Sequence, residues 1–481
     1  MESQAGSRRR LALPRMRLGL AHMPPRLSLL FLAMPLQILA EVLYWVYGRG
    51  GNLYIIGLTT ALWLAWFAII LLICIPAVDD WLRGWLKKLQ WIAAIVIAIV
   101  ALIGIVELVG LHLLDTGAVE PTELTEQVTN SFRYNDATAI SHQASEALLR
   151  GENPYLEADI VAALEALNLP PDAVTPLQQG YFADVFPYPT PEQLDEILNQ
   201  ARSSGESPPQ EFESKVSYPA GSFLFQTPFL ALGLKDLRIF YLICALLAAA
   251  VIVWCTPARL RLLVIAAFLS SIVLWNLIAT GTTDTLYVLF LLIAWIFRRR
   301  LWLSALCMGL AVATKQIAWV YVLFYAILVL RETGWARMAK ALAMTAVVFC
   351  AVNLPFVLGA PQNWLEGVMA PVVDPMFPKG VGLVTFSLAG VLPSNPMVFI
   401  IIEVAVLALA AGWYYFCGYR YPQSGLLLAV LPFFFAWRSY SCYFYFASLL
   451  VFGAVAAIEY SPGRKQESSP HLPVEAGAFV T

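Results

Sequence analysis

Charge is what this chain has least of. Only 13% of its 481 residues are Asp, Glu, Lys or Arg, 60% are hydrophobic, and mean hydropathy is +0.71. Soluble domains run near a quarter charged, so this composition points to a bilayer. The alternating pattern of barrel strands is absent, which excludes an outer-membrane barrel and leaves helices as the spanning element. Histidine is scarce as well: His22, His112, His142 and His471 are scattered, which argues against a histidine-built metal centre. Cys74, Cys244, Cys255, Cys307, Cys350, Cys417 and Cys442 all lie in or beside apolar segments, with no CxxC spacing. They read as small buried hydrophobes rather than disulfides or metal ligands. A net charge of −2 carries no sign of nucleic-acid binding.

What the chain does have is a succession of long apolar runs, each able to cross a ~30 Å hydrocarbon core as a helix. They predict membrane helices near 27–47, 53–77, 90–114, 239–255, 260–280, 284–297, 301–315, 316–331, 338–358, 395–417, 424–438 and 440–459. The expected fold is all-α and polytopic, with about 12 transmembrane helices, a large extracytoplasmic loop and a juxtamembrane helix. It divides into a basic tail (1–26), N-terminal membrane helices (27–114), a polar loop (115–235), a membrane core (236–460) with a second outer loop (359–394), and a tail (461–481). The arginines before residue 27 precede an apolar run with no small-residue cleavage site, so the first helix is expected to be retained.

Lys/Arg bias sets the orientation. With the N-terminus inside, Arg83, Lys87 and Lys88 are cytoplasmic and residues 115–220 are outside. Gly221 to Leu234 is apolar but only about fourteen residues long, too short to cross. If it lies in the interface, Arg259, Arg298 to Arg300, Arg331, Arg420 and Arg464 all fall inside, as the rule requires. The outer surface then gathers Asp136, the Tyr218-Pro219 turn, Asp236, Asp284, Lys315, Gln316, Asp374, Lys379 and Arg438.

Within the polar loop, Ile140, Ala144, Ala147 and Leu148 recur at helical spacing and predict an amphipathic helix over 137–150, stopped by Gly151 and Pro154. Residues 157–168 and 191–202 read as further short helices. Asp136 opens the first of these, where a carboxylate either caps the helix or serves chemistry. Asp284 and Lys315 lie at helix ends in apolar surroundings, where ionisable side chains are costly. They form a pair that holds two helices, or Lys315 contacts an anionic ligand. Glu41, Glu107 and Glu403 read as interhelical polar contacts.

The order of these features resembles a known family. Arg133-Tyr134-Asn135-Asp136 follows an apolar helix, and the amphipathic helix runs into Gly151-Glu152-Asn153-Pro154-Tyr155. Tyr218-Pro219, Gly281-Thr282-Thr283-Asp284 and Gly309 to Gln316 follow in turn. Over roughly 90–450 this is similar to the GT-C membrane glycosyltransferases that use polyprenyl-phosphate sugars, especially bacterial mannosyltransferase-like members. The resemblance implies a plasma-membrane transferase with cytoplasmic termini and an extracytoplasmic active site. It would move mannose or a similar sugar from the lipid-linked donor to a glycan, lipid or protein acceptor. By the same resemblance Asp136 is the general base. Arg133, Asn135, Tyr155, Tyr218, Asp284, Lys315, Gln316 and Arg438 are its substrate-binding candidates. Asn135 stands where the family often has a second acidic residue, so no metal ligand is assigned and the divalent-metal requirement stays open. A polytopic transporter or lipid flippase, or a non-catalytic envelope-assembly protein, are the alternatives.

Overall fold

The computed structural model describes residues 24–115, 133–204 and 208–460. Among these the chain is almost wholly helical, its only strands being Lys379–Gly380 and Arg438–Ser439. Seven helices are long and apolar enough to cross a membrane: Pro25–Gly48, Leu53–Ile73, Arg83–Val106, Leu237–Cys255, Trp335–Gly359, Pro396–Cys417 and Ser441–Glu459. Ala258–Leu269 and Ile272–Ala279 make an eighth if counted as one span, bent by 53°. The bend has a local cause. Ser270 donates its hydroxyl to the Ala266 carbonyl at 2.7 Å, and Ser271 hydrogen-bonds the Tyr445 hydroxyl. Serines that bond backbone and neighbours in this way interrupt the helical ladder.

Three further apolar helices, Asp284–Ile296, Leu301–Val312 and Ser424–Phe435, are short. At a rise of ~1.5 Å per residue they reach only about 18–20 Å. The expected helix at 260–280 is therefore broken, and those at 284–297, 301–315 and 424–438 are shorter than a full span. Residues 221–234 hold only the short helices Gly221–Leu224 and Thr227–Ala231. Between them Gln226 is fully buried, donating to Ser141 O at 2.8 Å and Ser145 Oγ at 3.0 Å and accepting from Tyr241 Oη at 2.8 Å.

The polar insertion forms its own core. The helix Asp136–Leu149 buries Ile140, Ala144 and Ala147 as its periodicity requires, and Gly151 ends it at φ +80°. Ile160, Leu164, Leu194, Leu198, Phe212 and Phe223 complete that core, joined by Phe356 from the helix Trp335–Gly359 and by Val368 and Phe377 from the second loop. The two polar segments thus build one cap over one end of the helices. At the other end, Arg26 is 3% exposed and lies between Asp79 (3.0 Å) and Glu459 (2.6 Å).

Candidate active site

Asp136 is the first residue of its helix, not the cap. Asn135 takes that role, with extended backbone and a side-chain oxygen 2.8 Å from the Thr138 amide. The cap expected of Asp136 is thereby supplied one residue earlier, which frees the carboxylate. Its Oδ1 accepts from the Ala137 amide at 2.7 Å, and its Oδ2 accepts from the Thr175 hydroxyl. A negative charge here is favoured by the helix dipole. The helix start is docked on the Gly281 turn: the Asn135 amide donates to Thr280 O at 3.1 Å, and the Thr138 hydroxyl to Gly281 O. Gly281 has φ +79°, and a Cβ there would press on Thr138 at 3.0 Å. Glycine is what permits this approach.

Three cations expected at the outer surface, Lys315, Lys379 and Arg438, fall into two different electrostatic states. Lys315 is spoken for: its Nζ is 2.8 Å from Asp284 Oδ1, both side chains are buried, and Thr282 donates to the other Asp284 oxygen at 2.8 Å. Its ammonium also lies 4.9 Å from the Tyr218 ring centre. Of the two roles open to it, the geometry is that of the pair. Lys379 and Arg438 differ. They are register partners in the two-residue parallel bridge, and among the described residues neither has a carboxylate in ion-pair range. Each sits instead against a tyrosine, Lys379 Nζ 5.2 Å from the Tyr188 ring centre and the Arg438 guanidinium 5.3 Å from that of Tyr440. Arg438 also donates to the Tyr440 hydroxyl. Burial opposes the Lys379 charge, but the oxygens of Tyr440 and Tyr188, with Asp136, more than offset burial and the neighbouring Arg438, holding its pKa above the usual lysine value. Burial opposes the Arg438 charge too, and the same tyrosines with Asp136 raise its pKa on balance. Asp136 makes the smallest of these contributions at each cation, which puts it within electrostatic range of both without an ion pair.

The other expected residues take protein partners. Tyr155 is buried against Phe223 and Phe356 and donates to Tyr218 O at 2.8 Å. Gln316 donates to Ser217 O at 2.6 Å and Val368 O at 2.7 Å, tying the Tyr218 segment to the second loop. Asn135 is spent on the cap. Arg133 is half-buried, three residues before Asp136. Lys379, Tyr188, Tyr440 and Thr175 are the site residues that motif order misses. Only Lys379 leaves a trace in the sequence, through its place among the outer polar residues. Among the described residues no three His, Cys, Asp or Glu side chains are grouped to hold a metal ion.

Beside this site, Glu213 is buried next to Asp374, which itself pairs with Lys215 at 2.9 Å. Burial first, then the neighbouring Asp374, push the Glu213 carboxyl up to about 8. A carboxyl raised above its unfolded value contributes stability that is full below the ordinary carboxylate range and is lost as pH rises through the raised value. Glu213→Gln is therefore expected to hold its melting temperature between pH 6 and pH 9, where the native protein loses a few degrees, about 1 kcal/mol or more. Thermal unfolding of both proteins in detergent at the two pH values measures this, and parallel losses would rule it out.

No protein-family model matches this chain, and neither do any curated protein or solved structure.

Proposed function

We propose that this protein is a polytopic membrane glycosyltransferase. It moves a sugar, mannose or similar, from a polyprenyl-phosphate donor to an acceptor hydroxyl at the extracytoplasmic face. The observation that carries this reading is a half-buried carboxylate, Asp136, within electrostatic range of two cations, Lys379 and Arg438, that among the described residues have no carboxylate at ion-pair distance. Both cations are half-buried, where a charge gains from an opposite partner. Two cations held together over tyrosine rings suit an anion that arrives with the ligand. Two positive charges against one carboxylate leave the site at +1, which one phosphodiester anion neutralises.

The chemistry follows from that arrangement. The acceptor oxygen attacks the anomeric carbon, and its proton passes to Asp136. The bond from that carbon to the phosphate oxygen breaks, and the electron pair leaves with the phosphate. Lys379 and Arg438 stabilise the charge that collects there. The leaving phosphate needs no proton from the protein.

Two features favour a donor carried in the bilayer. One is that Asp284–Ile296, which begins at the buried Asp284, reaches only about 20 Å of the ~30 Å hydrocarbon thickness. The other is a narrow apolar cleft, part of it open to the surroundings. Ala248, Val264, Phe268, Leu292 and Phe446 line it, and Thr285, next to Asp284, belongs to the same lining. An isoprenoid chain fits that chemistry.

The test is direct. The purified protein in lipid nanodiscs is expected to transfer radiolabelled sugar from a polyprenyl monophosphate donor to an envelope lipid or glycan fraction. It is expected to lose about tenfold in kcat/KM or more when the donor chain is cut to a water-soluble stub, because each buried CH2 contributes ~0.8 kcal/mol. Uptake of solute into proteoliposomes with no lipid donor, and no transfer, would replace this reading with a transporter.

A further inference from the structure

Among the described residues two donors reach the Asp136 carboxylate: the Ala137 amide on Oδ1 and the Thr175 hydroxyl on Oδ2. The first is a property of the helix itself. The second comes from a separate segment, and that segment is braced on both sides. The Thr175 carbonyl accepts from the Glu213 amide at 2.9 Å, and Pro176 bridges to Phe212. Leu177, two residues on, bridges to Met376, and Gln178 donates to Pro375 O at 2.6 Å. Met376 in turn is three residues before Lys379. The chain that holds one oxygen of Asp136 is therefore tied to the chain that carries one of the site's two unpaired cations.

We propose that Thr175 is a positioning residue, one that aims the Asp136 carboxylate and registers it against the Lys379–Arg438 pair. This rests on Asp136 acting as the base. With Oδ2 tethered, the carboxylate cannot rotate freely, and each of its oxygens keeps a lone pair for an incoming hydroxyl proton. Val174 beside Thr175 is buried at 3% exposure, which fixes the backbone from which the hydroxyl reaches out.

The experiment uses the full chain in nanodiscs with a polyprenyl monophosphate sugar. Thr175→Val keeps the shape and removes the donor. It is expected to lower kcat by about tenfold and leave the donor KM and the melting temperature unchanged. Thr175→Ser is expected to restore kcat. In an Asp136→Asn background the Val substitution is expected to cost nothing further, because its effect runs through the carboxylate. If Thr175→Val leaves kcat within twofold of wild type, changes the donor KM instead, or lowers activity only in step with its melting temperature, the proposal is overturned while the base assignment stands. If Asp136→Asn is itself fully active, the base reading fails first. Should the Val variant not accumulate in the membrane, Thr175→Ala removes the same hydroxyl with less bulk and is read by the same split between kcat and KM.

Discussion

Asp136→Asn is expected to lower sugar transfer by roughly 10²- to 10⁴-fold, the range of a positioned general base, with the protein still folded and present in the membrane. The substitution is conservative for the structure. Asn135 remains the helix cap. The amide oxygen still accepts from Ala137, and the Thr175 hydroxyl can turn to accept from the new NH2 group. What is lost is the ability to take a proton. The loss should therefore fall on kcat, with little change in donor KM, since the base touches the acceptor and not the phosphate. Single-turnover transfer by wild-type and variant protein, normalised to folded protein, reads this. Activity within threefold of wild type would remove Asp136 from the chemistry and return it to a purely structural place at the helix start.

Lys379→Met and Arg438→Met are each expected to raise the donor KM about 10- to 100-fold, and together to reduce transfer below detection, because each removes a charge-assisted contact to the phosphate. Neither side chain has a carboxylate to leave behind, so neither loss should cost much stability. Lys315→Met supplies the contrast. It strands the buried Asp284 without its 2.8 Å partner. Breaking one half of such a pair costs about 3–5 kcal/mol, and the variant should fail by melting rather than by affinity. Donor titrations and thermal unfolding of the three variants separate the cases. A donor KM unchanged in both the Lys379 and Arg438 variants would mean that the anion binds elsewhere.

Much of this arrangement could be read from the chain alone, and the limits have physical causes. The helix at Asp136–Leu149 followed from the spacing of Ile140, Ala144 and Ala147, since one buried face is enough to specify a period. That 221–234 holds no helix of spanning length followed from its length. The break at Ser270–Ser271 did not, because a hydrophobic run looks the same whether or not a serine hydroxyl has taken a backbone carbonyl. The cap at Asn135 rather than Asp136 was equally hidden. Both residue types cap well, and the backbone of the docked chain chooses between them.

Composition and run length alone determined that this is a helical membrane protein with a polar cap, because those are properties of burial in lipid and are written locally in every segment. Which cation stays free could only be decided by the tertiary structure. Lys315, Lys379 and Arg438 are alike as residues, and all three were legible as polar positions near one surface. Whether each meets a carboxylate depends on segments far apart in sequence being brought together. Among the described residues the fold brings Asp284 to Lys315, and to Lys379 and Arg438 it brings tyrosine rings but no carboxylate at ion-pair distance.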